Sequence, residues 1–143
     1  MVEFEVFIKR LSQLPTYLYT KAPQLLVKKQ QQIITLNRVQ MKIGENIKGE
    51  IIQKGYSKTH EKKRKEKGLQ TGFVDLKFTG KYYDTLKAKK ADKGVNIISG
   101  TSYGKYLKNM FPEHRGLTEK SAEIIAEDLE KEVADLIKKY LLR

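Results

Sequence analysis

A long amphipathic stripe near the C-terminal end of the sequence constrains the fold more than any other feature. Five apolar residues recur there at steps of four and three: Ile125, Leu129, Val133, Leu136 and Tyr140. This spacing predicts a helix over about residues 118–141, with Thr118 as its N-cap. Such a helix buries its apolar side, so the rest of the chain has to cover it.

The N-terminal region also has helical spacing. Residues 2–14 carry apolar side chains at steps of three and four, and Pro15 is predicted to end that run. Pro23 occupies a position that the first turn of a helix accepts. A second helix is therefore predicted to begin at Pro23 and to include Gln24 to Gln32.

Short alternating segments in the middle of the chain predict strands and turns. Strands are expected at Val39 to Ile43, at residues 50–53 as its hairpin partner, at residues 73–78 and at Val95 to Ser99. Thr79 is predicted to cap a short helix over Lys81 to Leu86. The spacing of Tyr103, Tyr106 and Leu107 predicts another short helix, which Pro112 ends.

Together these elements predict an α+β fold. A small, mostly antiparallel sheet is expected to pack against the N-terminal helices and the long C-terminal helix. The length of 143 residues is typical of one domain, so residues 1–143 are predicted to fold as a single unit. The absence of cysteine excludes disulfides, thiolate nucleophiles and cysteine-ligated zinc. The sequence pattern predicts neither a signal peptide nor a membrane span. We therefore expect the protein to be synthesised in a cytoplasm.

The charge of the chain is high and unevenly distributed. The formal net charge is +12, and residues 118–143 contribute five basic against seven acidic side chains. The other residues therefore hold 24 basic and 10 acidic side chains. A basic body with a slightly acidic tail predicts a polyanionic neighbour, either nucleic acid or an acidic protein surface, although charge retained for solubility is an alternative.

The prediction of a polyanionic neighbour rests mainly on two basic clusters. The first comprises Lys62, Lys63, Arg64, Lys65 and Lys67, and the second comprises Lys87, Lys89, Lys90 and Lys93. Residues 58–67 contain no large apolar side chain that packs on a core, so residues 55–70 are predicted to form a mobile basic segment, an exposed helix or loop. Residues 87–94 are predicted to form a lysine-rich turn. Such clusters bind phosphates through salt-sensitive contacts that have no sequence preference.

Other motifs give little sign of catalysis or cofactor binding. Gly100 and Gly104 are separated by three residues and Tyr106 follows Lys105, whereas a phosphate-binding loop needs four residues and then Ser or Thr. The two glycines instead predict a tight turn between a strand and a helix. No bound nucleotide or other cofactor is predicted.

The titratable residues are interpreted in the same way. His60 and His114 lie in polar or loop contexts without a second ligand at metal-binding spacing, so no metal site is predicted. Asp75 and Asp84 are the nearest candidates for acid–base chemistry and are interpreted as surface carboxylates. The protein is therefore predicted not to be an enzyme.

About three quarters of the chain resembles a known family. The resemblance rests on a strand, Thr79-Gly80, Leu86, a basic turn, a strand over residues 95–101, Tyr103-Gly104-Lys105-Tyr106, a proline loop and a long terminal helix. This order resembles the minor tail and tail-completion proteins of tailed bacteriophages, and the likeness extends over about residues 36–142. It makes Thr79, Gly80, Leu86, Tyr103 and Tyr106 structural motif residues.

The resemblance implies a structural virion protein made in the cytoplasm of a bacterial host. Such a subunit joins portal, neck or tail proteins and forms a homo-oligomeric ring around the channel through which DNA passes, with non-specific DNA contact and no membrane. One alternative is a free, sequence-independent nucleic-acid-binding protein, for which the lysine clusters are the supporting feature. A small enzyme is the other alternative.

Overall fold

The computed structural model describes residues 3–52, 55–92 and 94–143. Their elements are α1 (Phe4–Lys28), α2 (Gln30–Lys42), α3 (Lys58–Glu66), α4 (Lys81–Asp84), β1 (Lys87–Lys90), β2 (Val95–Ile98), α5 (Gly104–Met110) and α6 (Glu119–Leu142). The predicted α+β class is confirmed, with one antiparallel sheet between N-terminal helices and a long C-terminal helix.

The two strands form a hairpin that packs against the helices. β1 and β2 pair in the register Lys87 with Ile98 and Lys90 with Val95, and β1 contacts α1 and α2. The predicted strand at Val95 is confirmed. The predicted turn over residues 87–90 is wrong, because Ala88 is buried between exposed lysines and anchors a strand there. Lys93 lies outside the described residues.

The two predicted helices at the N-terminus are one helix. α1 runs through both Pro15 and Pro23, so the predicted stop at Pro15 and the predicted start at Pro23 are wrong. A proline inside a helix costs about 3 kcal/mol. Tertiary contacts on both sides of Pro15 oppose that cost: Tyr17 stacks on Tyr140 of α6 with ring centroids 4.1 Å apart, and Arg10 bonds to carbonyls at the end of α6.

The predicted strand at Val39 to Ile43 is also wrong. These residues lie in α2 and just after it, where Ile33, Asn37 and Met41 are buried at steps of four. Val39 and Ile43 are exposed, so the alternation of apolar residues there does not mark a strand face. The predicted hairpin is reduced to one antiparallel bridge between Glu45 and Ile51, and Gln53 lies outside the described residues.

Residues 73–78 form an irregular segment and not the predicted strand. Val74 and Leu76 are buried, but the backbone of Leu76 has φ of 59°, in the left-handed region that strands do not use. This segment supplies side chains to the main core, where they pack with Met41, Tyr82 and Phe111. Its shape is determined by a buried charge on α3.

That charge is Arg64, whose side chain is 1% exposed. Its Nε donates to the carbonyl of Gln70 at 2.9 Å, its Nη1 to the carbonyl of Lys77 at 2.9 Å and its Nη2 to Oδ1 of Asp75 at 3.0 Å. The guanidinium also lies 4.4 Å from the ring centroid of Tyr56. The prediction that residues 58–67 have nothing to pack on a core is therefore wrong, because an arginine takes that role.

Asp75 completes this network. Its side chain is 13% exposed, and its Oδ1 accepts bonds from the Tyr56 hydroxyl and the Lys77 backbone N–H, each at 2.9 Å. Gln70 donates to its Oδ2 at 2.9 Å. The interpretation of Asp75 as an ordinary surface carboxylate is wrong. A buried ion pair of this kind is retained when further hydrogen bonds satisfy both partners.

The long C-terminal helix is confirmed. The Thr118 hydroxyl accepts the Ser121 backbone N–H at 3.2 Å, which caps α6 as predicted. Ile125 and Leu129 pack on Ile33 in a second, smaller core. α5 confirms the predicted short helix, and the turn before it needs glycine: a Cβ on Gly104 would lie 2.6 Å from the Ser99 side chain.

Removing the Arg64 charge should destabilise the fold strongly. We expect Arg64→Met to lower the free energy of unfolding by about 3–5 kcal/mol, because Asp75 then stays buried without its counter-charge. Lys63→Met on the exposed side of the same helix is the matched control and should change it by less than about 0.5 kcal/mol. Urea denaturation measures both. Equal effects of the two substitutions would contradict this role of Arg64.

Candidate functional site

The structure separates the first basic cluster into two parts. Lys62, Lys63 and Lys65 project from the exposed side of α3, where Lys65 forms an ion pair with Glu61 at 2.8 Å. Arg64 points inward and is not available. Lys67 follows the helix with its Nζ 4.7 Å from the ring centroid of Phe78.

The second cluster lies on the hairpin. Lys87, Lys89 and Lys90 are all exposed on β1. Three cations within four residues of one strand form a locally strong positive surface. Contact of these lysines with DNA or an acidic partner remains a prediction.

The residues that carry the family resemblance have different environments. Gly80 has φ of 86° and is the N-cap of α4, while Thr79, predicted to be the cap, accepts the Lys81 backbone N–H at 3.3 Å. Leu86 is buried in the main core. Tyr103 and Tyr106 are exposed.

Three of these residues line one aromatic cavity. Thr79, Gly80 and Tyr103 border a space of about 580 Å³. Its wall also contains aromatic rings and a histidine: Tyr56, His60, Phe78, Tyr82 and Phe111. A concave surface of this composition accepts an apolar or aromatic group. Sequence reasoning missed it because its walls come from segments far apart in the chain.

A buried polar chain lies behind this cavity. Arg115 Nε donates to the Tyr82 hydroxyl at 2.8 Å, that hydroxyl donates to His114 Nε2 at 2.5 Å, and His114 Nδ1 donates to the Phe111 carbonyl at 2.5 Å. His114 is fully buried, and burial lowers its pKa to about 4. The expected loop context of His114 is confirmed, but its burial was not expected: this histidine is a neutral, fully buried residue of the loop after α5, and it links that loop to α4.

Among the described residues, two apolar surfaces are prominent. The first is the N-terminal part of α1, where Phe4 is 77% and Ile8 is 45% exposed and Val6 and Leu11 are also exposed. The second is an open groove of about 790 Å³ between β2 and α6. Its wall includes apolar side chains from three regions of the chain: Leu26, Ile33, Ile97, Ala122, Ala126 and Leu129.

The chain has much more accessible surface than a compact monomer of its size. The accessible area is 9955 Å², whereas the scaling for monomeric proteins of 16.6 kDa gives about 7,600 Å². The difference of about 2,400 Å² is large relative to the roughly 800 Å² that one partner buries in a standard interface. This surface suits a protein that is buried by neighbours.

The described residues contain neither a metal-binding cluster nor a membrane-spanning helix. No group of three or more His, Asp or Glu side chains in this part of the chain is arranged to hold a metal ion. Neither α1 nor α6, nor any other described helix, combines the length and apolar character of a membrane span.

Comparisons with known protein families, with characterised proteins and with solved structures find no significant match to this chain. The resemblance to tail-completion proteins therefore stays a prediction.

The buried His114 should make stability depend on pH. Its pKa is about 4 in the folded protein and about 6.5 when unfolded, so only the unfolded chain binds a proton between these values. Stability should therefore fall by about 1.4 kcal/mol per pH unit as the pH drops from about 6.5 to about 4. Denaturation midpoints measured across this range give the slope.

Two variants separate His114 from other titrating groups. His114→Leu should flatten the slope between pH 6.5 and 4.5, whatever it does to stability at neutral pH. His60→Gln should keep most of the slope of stability against pH, because His60 is only partly buried. A slope that survives His114→Leu would contradict this assignment.

Proposed function

We propose that this protein is a structural subunit that assembles with other macromolecules, similar to a neck or tail-completion protein of a tailed bacteriophage. In this role it forms a ring between portal and tail around the DNA channel. The observation that carries the proposal is the excess accessible area of about 2,400 Å² relative to a compact monomer. A ring subunit contacts two neighbours, and two standard interfaces bury about 1,600 Å² of its surface.

The distribution of apolar side chains supports assembly. An amphipathic helix gains stability by burying its apolar side, yet Phe4 and Ile8 on α1 remain largely exposed. Apolar patches of this kind mark contact sites with other proteins. α1 is therefore the surface that we assign to a neighbouring subunit.

The charges support the same role. The chain has exposed lysines on α3 and β1 and a slightly acidic segment over residues 118–143, and surfaces of opposite charge favour head-to-tail contact between copies. The same lysines provide salt-sensitive attraction to DNA in the channel.

Disruption of the gene in a phage that carries it tests the proposal. We expect lysates that contain filled heads and separate tails, because the joining subunit is missing. Electron microscopy and the infectious titre measure the effect. Normal infectious particles after disruption would exclude the proposed role.

Complementation tests the contribution of α1. The wild-type chain supplied from a plasmid should restore the titre, and Phe4→Ser combined with Ile8→Ser should not. Both side chains are exposed, so the double variant should keep the wild-type melting temperature. Gln13→Ser, an exposed polar position on the same helix, is the control that should restore the titre.

A free nucleic-acid-binding protein is the second candidate, favoured by the exposed lysines of α3. If it is right, the purified wild-type chain binds duplex DNA with a steep salt dependence. Lys62→Gln, Lys63→Gln and Lys65→Gln together should then lower the slope of log K against log salt by about 2–3. The control is an equal charge change on α6: Lys131→Gln, Lys138→Gln and Lys139→Gln. Wild-type binding that does not depend on salt would exclude this candidate.

A further inference from the structure

We propose that two copies of this chain pair through the free edge of β2. The two β2 strands would run antiparallel about a two-fold axis and join the two hairpins into a four-stranded sheet. This pairing does not rest on the proposed function, because it describes the subunit in solution and closes as a dimer.

The hydrogen-bond pattern of the hairpin leaves one edge open. The Gly100 N–H donates to the Thr85 carbonyl, and the Ala91 N–H donates to the Gly94 carbonyl. Hydrogen-bonded residues alternate along the strand between these two positions, so the backbone N–H and C=O groups of Asn96 and Ile98 point toward β1. The backbone N–H and C=O groups of Val95 and Ile97 consequently point away from β1. Among the described residues, no hydrogen bond reaches these groups.

The groove beside this edge has room for another strand. Its wall includes five consecutive residues, Gly94 to Ile98, whose side chains leave on both faces, so the groove follows the strand edge. The opposite wall is α6, which presents the small residues Ala122 and Ala126 there. An added strand lies about 4.8 Å from β2, and its side chains would enter this space of about 790 Å³.

The two strands differ in the charged residues that would prevent such pairing. Proteins commonly block exposed strand edges with lysine. β1 has the sequence Lys-Ala-Lys-Lys and packs against α1 and α2. β2 also contacts α1, but it has the sequence Val-Asn-Ile-Ile and carries no charge. An uncharged strand edge next to a largely apolar groove, whose wall also includes Lys108 and Arg115, is suited to β-augmentation.

Area and charge favour a second copy as the occupant. The excess area of about 2,400 Å² exceeds the roughly 800 Å² per partner that a standard interface needs. Antiparallel pairing brings the start of one β2 next to the end of the other. No charged residue lies within β2 itself, so two copies bring their Val-Asn-Ile-Ile segments together without repulsion between charged strand side chains.

Cysteine cross-linking tests the pairing directly, because the chain has no cysteine of its own. Asn96 and Ile98 are exposed and lie on the same face of β2. In an antiparallel β2 pair, their Cβ atoms oppose those of the partner strand at distances that permit a disulfide. The double variant Asn96→Cys/Ile98→Cys should therefore form a covalent dimer under mild oxidation, seen on a non-reducing gel.

The matched control is Lys87→Cys/Lys89→Cys, which places two exposed cysteines with the same spacing on β1. It should remain mostly monomeric. Equal cross-linking of the two variants, or none in either, would overturn the pairing.

The dimer dissociation constant of a surface variant gives a second test, which needs neither oxidation nor a substitution in the core. Asn96→Lys adds a charge to an exposed side chain of β2, and a two-fold axis brings two such charges close together. Its dimer dissociation constant, measured by sedimentation equilibrium, should be at least about tenfold higher than that of the wild type, with an unchanged melting temperature. A wild-type chain that stays monomeric at high micromolar concentration would also overturn the proposal.

Discussion

The pairing of Arg64 with Asp75 is the interaction on which much of the remaining structure depends. Helix α3 has no large apolar residue, so this buried guanidinium docks it on the domain. The same group bonds to two carbonyls of the irregular segment that delivers Val74 and Leu76 to the core. One charged side chain thus holds α3 in place, as apolar packing does for the other helices. The cost of removing its charge from water is offset by the hydrogen bonds that the guanidinium makes.

This arrangement explains how a polar, lysine-rich segment is both ordered and available for binding. With Arg64 directed inward, the lysines beside it on α3 project outward in a defined direction. Their charge is presented on a helix and not on a mobile loop. A docked helix loses less conformational entropy when it binds DNA or an acidic neighbour than a mobile segment of the same composition.

The structure also leaves a large apolar surface exposed to solvent. The exposed start of α1, the groove between β2 and α6, and the open edge of β2 all leave apolar or backbone groups in water that folding usually buries. A single chain of 143 residues has a limited core, and a subunit that is completed by neighbours can leave such groups for the assembled state.

Local signals in the sequence predict several elements correctly: α6 with its Thr118 cap, the short helix α5, strand β2 and, from these, the α+β class. Periodicity and capping act within a few residues, so they are visible without the fold. The tertiary structure decided the continuity of α1 through Pro15, the helical state of Val39 and the burial of Arg64 and His114. Each of these depends on partners far along the chain, such as Tyr140 for α1, and desolvation by distant residues leaves no mark in the local pattern.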